Sequence, residues 1–203
     1  IDFKLHPTKY YFVSNTTLII CPNTIARQWL NEIAKITTKN IKVLLIGTKR
    51  DYEKINYRDI LDADIVIVTI SFITANPVYV NIYNLYNVSN ITKDQIVKKV
   101  HQNHIKKIIT PKGIVPNNDI KIDDNVNKKV INAFNVLFTM IKWDRVYYDE
   151  VHEFYNSKEP GISDISARDA MLHHIRCNFK WFLSGTPASE KGQYKNICDQ
   201  NVT

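Results

Sequence analysis

Two adjacent carboxylates, Asp149 and Glu150, follow the apolar run Val146-Tyr147-Tyr148 and precede Val151-His152. A hydrophobic strand that ends in an acidic pair suits nucleotide hydrolysis. One carboxylate can hold Mg2+ through its water shell, because Mg2+ prefers oxygen ligands and keeps several waters. The next, turned by the end of the strand, can orient or deprotonate an attacking water. In that chemistry Asp149 is the partner of the metal and Glu150 is the base. The competing reading is a strand that reaches solvent and simply turns polar. A second run, Trp181-Phe182-Leu183, ends in Ser184-Gly185-Thr186-Pro187. Hydroxyls there could bond to the acidic pair and report the state of the phosphates; the competing reading is an ordinary Gly/Pro turn. A third place is Pro22-Asn23-Thr24, between the run Thr17–Cys21 and Arg27-Gln28-Trp29. A turn opening a helix presents backbone N–H groups and a capping hydroxyl, which suit phosphate oxygens. Trp29 reads as a core residue rather than a platform for stacked bases.

These groups need elements to hold them. Thr17–Cys21, Ile41–Ile46, Asp64–Thr69, Arg145–Asp149 and Lys180–Ser184 read as short buried strands. Ile25, Trp29, Ile33 and Ile36 fall on one face of a helix over Thr24–Ile36, with Asn23 or Thr24 as its cap. Short helices are expected over Arg58–Asp62 and Ile165–Cys177. Buried strands separated by helices imply βαβ units and a parallel sheet covered on both faces. Such sheets collect ligands at the carboxyl ends of their strands, where all three candidate groups lie. The stretch 76–129 differs, with nine Lys against four Asp and weak periodicity. It reads as an insertion of about 76–130 between core segments 14–75 and 131–190. Ile96–Ile109 within it reads as a basic helix, with Val97, Val100, His104 and Ile108 along one side. That charge could touch phosphates, or the segment could be a solvated insertion.

Composition bounds the rest. The 203 residues are 44% hydrophobic and 23% charged, as in ordinary globular proteins, and the formal net charge is +7. A basic balance favours a polyanionic partner. No apolar run is long enough to span a membrane, and the start lacks the apolar segment of a signal peptide. Cys21, Cys177 and Cys198 form no CxxC pair and read as reduced thiols. The sequons at Asn15, Asn87, Asn90 and Asn201 follow from high Asn content. His101 with His104, and His173 with His174, have no accompanying ligand pattern and read as surface or interface residues rather than a metal site. Abundant Ile, Asn, Lys and Tyr with five Gly is the usage of an A+T-rich genome, such as that of a giant virus. The expected location is intracellular: the nucleus, or a cytoplasmic viral factory or virion if the source is viral.

Taken together, the motifs resemble those of superfamily-two helicases, and in order and spacing the Swi/Snf-like DNA translocases. Cys21-Pro22 through Gln28-Trp29-Leu30-Asn31-Glu32-Ile33 is similar to motif Ia, and Asp64–Thr69 to motif Ib. Trp143-Asp144-Arg145-Val146 leading to Asp149-Glu150-Val151-His152 is similar to the DEAH-type box, and Ser184–Pro187 to motif III. The resemblance covers nearly the whole chain apart from the insertion. It implies a RecA-like α/β lobe of the P-loop NTPase type, a mainly parallel sheet with helices on both faces, partial over 1–203. It also implies a parent enzyme using ATP and Mg2+, with double-stranded DNA and a second RecA-like lobe as partners. By the same resemblance Asp149 meets Mg2+, Glu150 activates water, and His152 couples the nucleotide site to motif III or the second lobe. Ser184 and Thr186 then link hydrolysis to DNA movement, while Pro22, Asn23, Thr24, Arg27 and Thr69 lie near the tracked strand. Val151 replaces the usual Ala or Gly, Glu153 a common Arg, and Ile70 a common Tyr. The sequence holds no Gly-x-Gly-Lys-Thr/Ser loop, which the family places before motif Ia; this piece alone is therefore expected to bind ATP poorly and hydrolyse almost none. The rival readings are a non-catalytic lobe that binds nucleic acid or protein, and an RNA helicase of the same superfamily.

Overall fold

The computed structural model describes residues 3–37, 40–75, 93–110, 120–151 and 174–185. Among these residues six strands form one sheet: β1 Phe12–Val13, β2 Thr17–Cys21, β3 Val43–Ile46, β4 Ile65–Thr69, β5 Ile141–Tyr148 and β6 Arg176–Phe182. Every pairing is parallel, and β2 lies between β5 and β4, with β3 outside β4 and β6 on the far side of β5. The helices are α1 Asn23–Ile36, α2 Lys49–Tyr52, α3 Tyr57–Leu61, α4 Ile70–Ala75, α5 Lys93–Ile109 and α6 Asp124–Ile131. This is the RecA-like α/β arrangement that the resemblance implied. Among the described residues no helix is long and apolar enough to cross a membrane.

A parallel strand buried on both faces needs apolar residues at every position. Thr17–Cys21 and Ile65–Thr69 supply them, and the two faces divide by parity. Ile19, Cys21 and Ile67 pack with Ala26 and Ile33 of α1. Leu18, Ile20, Val66 and Val68 pack on the other face with Ile60, Ile105 and Val130 from α3, α5 and α6. Tyr147 and Tyr148 likewise point to opposite faces: Tyr147 joins the α1 cluster and Tyr148 the larger one.

Several expectations need correction. Pro22 stands at the N-cap of α1 and no side chain caps that helix; Asn23 is its first residue. A missing side-chain cap costs about 1 kcal/mol. Burying Ile33 alone is worth roughly 1.5–3 kcal/mol, so packing rather than capping secures α1. By contrast α3 has the full reciprocal box, with Asn56 and Asp59 satisfying each other's backbone N–H. β5 begins at Ile141, four residues earlier than expected, because Lys142 and Asp144 hide the start of an apolar strand. The helix expected over 165–177 lies mostly outside the described residues, and its last two, Arg176 and Cys177, are strand. In α5 Val97, His101 and Ile105 are buried deepest, and the expected face also turns inward: Val100 and Ile108 pack against the larger core and the His104 ring meets Tyr57. That helix from the Asn- and Lys-rich stretch therefore packs into the larger core.

β1 and β2 are one strand with a fault in it. Between the pairs Val13–Lys142 and Thr17–Arg145 this side advances four residues while β5 advances three. The extra residue makes a bulge, and Ser14 and Thr16, both buried, satisfy it internally. Ser14 Oγ donates to Thr16 Oγ1 at 2.6 Å and accepts from Thr16 N at 3.0 Å. Thr16 Oγ1 in turn donates toward the carbonyls of Ala63 at 2.8 Å and Ile60 at 3.1 Å, pinning the end of α3 to the sheet.

Two predictions follow from this packing. Thr16→Val keeps the shape but takes the acceptor from the Ser14 hydroxyl and the side-chain donor from the Ala63 carbonyl, while the Ile60 carbonyl keeps its bond from Ala63 N. The expected loss is about 1–3 kcal/mol of stability in urea unfolding, with Thr16→Ser near wild type. The second concerns the buried histidines. Burial chiefly, then the charges of Arg176 and His104, push His101 down to about 3. Burial and then Lys107 push His104 down to about 4, and burial, Arg176 and Lys180 do the same to His174. The unfolded chain then takes up these protons more readily than the folded one. Stability should be complete above about pH 6.5 and fall as pH drops toward 4, by about 1.4 kcal/mol per pH unit for each histidine. Urea midpoints at pH 7 and pH 5 check this, and His101→Gln, which can still bond Thr139, should reduce the slope.

Candidate active site

Because all strands run the same way, β2, β3, β4, β5 and β6 end at one edge of the sheet. Cys21-Pro22, Gly47, Thr69, Asp149-Glu150 and Ser184 follow those ends. Beyond β5 the ladder continues for one bond, with Asp149 N donating to Ile20 O at 2.9 Å. On the other side Leu183 N donates to Tyr148 O at 2.8 Å, and Val151 N donates to Leu183 O at 2.9 Å. Those two bonds clasp the chain on either side of Asp149-Glu150. They also bring Ser184, the next residue, beside the acidic turn.

The turn itself is tight. Glu150 has φ 52°, in the left-handed region that non-glycine residues rarely enter. Holding it there costs on the order of 1–3 kcal/mol, which the flanking bonds to Leu183 must offset. Asp149 Oδ1 accepts from Glu150 N at 2.9 Å, stapling the reversal. Asp149 Oδ2 accepts from Trp29 Nε1 at 2.6 Å, across 120 residues of sequence. Trp29 lies against the smaller core cluster with Tyr147 and Ile19, so its ring is held from behind. The sequence reading of Trp29 as core was thus half of its role: the ring packs, and the N–H reaches the acidic pair. The adjacency of Gln28-Trp29 to a candidate phosphate-facing turn was the available signal.

Asp149 also acts on Cys21, at the end of β2. Burial first, and then the carboxylate charge, push that thiol up to about 12, so it stays neutral. It serves as apolar filling beside the site. The donors at this edge are carboxylate and hydroxyl oxygens, the hard ligands that Mg2+ takes. A carboxylate oxygen accepts more than one hydrogen bond, so both Asp149 oxygens retain capacity for the water shell of a cation. The residues present fit Mg2+ held through water. Among the described residues no group of three or more His, Cys, Asp or Glu could hold a metal by itself.

The residues expected near nucleic acid divide in two. Asn23, Thr24 and Arg27 are exposed at the start of α1, while Pro22 is buried behind them. Thr69 is buried too, and its hydroxyl donates to Gly47 O at 3.4 Å, joining the ends of β4 and β3. A second exposed hydroxyl in that region, beside that of Thr24, belongs to Ser71, which donates to Asn23 Oδ1 at 2.6 Å and ties α4 to α1. Sequence reasoning passed over Ser71, since a lone Ser after a strand carries no pattern. His152 and Thr186 lie outside the described residues.

Comparison with known proteins gives a family. The family model described as "SNF2-related domain" matches residues 1–194. No individual curated protein matches the chain. A match over nearly the whole length, with the motif residues at one edge of a parallel sheet, leads to one conclusion. The chain belongs to the SNF2-related domain family and is part of a Swi/Snf-type ATP-dependent helicase or translocase.

Proposed function

We propose that the parent protein couples ATP hydrolysis to movement along double-stranded DNA, with Asp149 and Glu150 at the centre of the hydrolytic site. The observation that carries this reading is the clasp of Leu183 around the acidic turn, which sets Asp149, Glu150 and Ser184 together at the carboxyl edge. When bound, ATP and Mg2+ supply the phosphoanhydride bond and the charge that neutralises its oxygens. Asp149, oriented through both oxygens, holds the cation by its hydration shell. Glu150, turned away from the strand line by its left-handed backbone, accepts the proton of the attacking water. Ser184 lies where a change at the phosphates can be passed along β6. His152 and Thr186 complete that relay by resemblance.

On the same edge, Asn23, Thr24 and Arg27 form an outward-facing patch at the N-terminus of α1, braced by Ser71. Backbone N–H groups and a positive dipole end favour phosphate oxygens there. The net charge of +7 adds a sequence-independent attraction to a nucleic acid backbone. A second RecA-like lobe, closing over the nucleotide in each cycle, would convert hydrolysis into a step.

The test is an ATPase assay of the complete protein, with duplex DNA, with RNA and without either, beside Glu150→Gln. The expected result is stimulation by duplex DNA, and in Glu150→Gln a fall in turnover of about 100-fold or more with nucleotide binding retained. Stimulation by RNA alone would replace the DNA reading. A wild-type protein without turnover would make this a non-catalytic binding lobe.

A further inference from the structure

We propose that Trp29 is a positioning residue for the acidic pair, its indole N–H fixing the Asp149 carboxylate in the orientation that receives the cation; this rests on the reading of Asp149 above. An indole has one polar atom, a donor only. Where the ring is packed against a core, that N–H must find an acceptor, and here the acceptor is Oδ2 of Asp149 at 2.6 Å. A neutral donor on an ionised acceptor makes a charge-assisted bond, among the stronger kinds. The ring cannot easily yield. It packs against the cluster of Ile19, Cys21, Ala26, Ile33 and Ile67, on which Tyr147 from β5 also lies. Tyr147 is itself stacked on Trp181 of β6, with centroids 6.1 Å apart and planes 11° from parallel.

Asp149 is thus held at three points. Its backbone N–H is on Ile20 O, its Oδ1 is on Glu150 N and its Oδ2 is on Trp29 Nε1. The first holds only the backbone, to β2, and the second lies within the turn, so neither stops the carboxylate plane from rocking. Among the described residues, the third ties the side chain itself to a different element. Without it, the carboxylate has one oriented oxygen instead of two. Groups that orient a metal's ligands in this way usually change metal affinity by 10–100-fold when removed. A Phe at this position would keep most of the packing and lose the donor, so the packing and positioning roles can be separated.

The experiment titrates Mn2+, followed by its paramagnetic resonance, into the complete protein with a non-hydrolysable ATP analogue. Asp149→Asn, Trp29→Phe and a protein carrying 3-benzothienylalanine at position 29 are compared with wild type. The last keeps the shape of the indole and replaces only its N–H with sulfur, so it reads the donor even if Trp29→Phe does not fold. The expected result is Mn2+ affinity about tenfold weaker in both position-29 proteins, with wild-type melting temperature for the isostere. Weaker binding in Asp149→Asn with unchanged binding in the isostere would overturn the role of Trp29 and leave the site intact. Unchanged binding in Asp149→Asn would remove Asp149 from the cation site, and this inference with it.

Discussion

Two backbone hydrogen bonds, from Leu183 N to Tyr148 O and from Val151 N to Leu183 O, hold the site together. They extend the pairing of β5 and β6 past the point where both strands formally end. Between them the chain must reverse within Asp149 and Glu150, and the left-handed Glu150 is the consequence. A turn with non-glycine residues at positive φ would relax if only one side were anchored. Here Ile20 anchors it from β2 and Leu183 from β6, so the acidic pair is gripped by both neighbours of β5.

That grip depends on the sheet. In a parallel sheet every strand delivers its carboxyl end to the same edge, so residues far apart in sequence become neighbours there. The price is a strand buried on both faces. The alternation of Leu18 and Ile20 toward one cluster, with Ile19 and Cys21 toward the other, shows it being met. The bulge at Ser14–Thr16 belongs to the same account. It shifts the register of β2 against β5 by one residue relative to β1, and buried hydroxyls absorb the polar cost.

Much of this was readable from residue types. The runs Thr17–Cys21 and Asp64–Thr69 declare buried strands because nothing else places so many β-branched residues together, and their polar ends mark the functional edge. Boundaries were harder where polar residues sit in an edge of the strand, as Lys142 and Asp144 do at the start of β5. The inward face of α5 was legible in part: Val97, Val100, His104 and Ile108 do meet the core, while His101 and Ile105 were missed because Val, Ile and His recur along two neighbouring stripes. The cap of α1 was misjudged since Asn23 spends its side chain on Ser71. Trp29 was invisible as a partner of Asp149 for a plainer reason: their contact spans 120 residues, and no local pattern encodes it. The family match confirms the class of protein, while the roles of individual side chains rest on geometry.

The central claim is that one edge of the sheet gathers Asp149, Glu150 and Ser184 around a single cation and nucleotide. The most direct measurement is a structure of the complete protein with Mg2+ and a non-hydrolysable ATP analogue. The account predicts the cation beside Asp149, with a water of its shell within hydrogen-bond reach of the carboxylate and Glu150 facing the terminal phosphate. A cation and triphosphate seated elsewhere on the lobe, with Asp149 and Glu150 facing no phosphate, would contradict it.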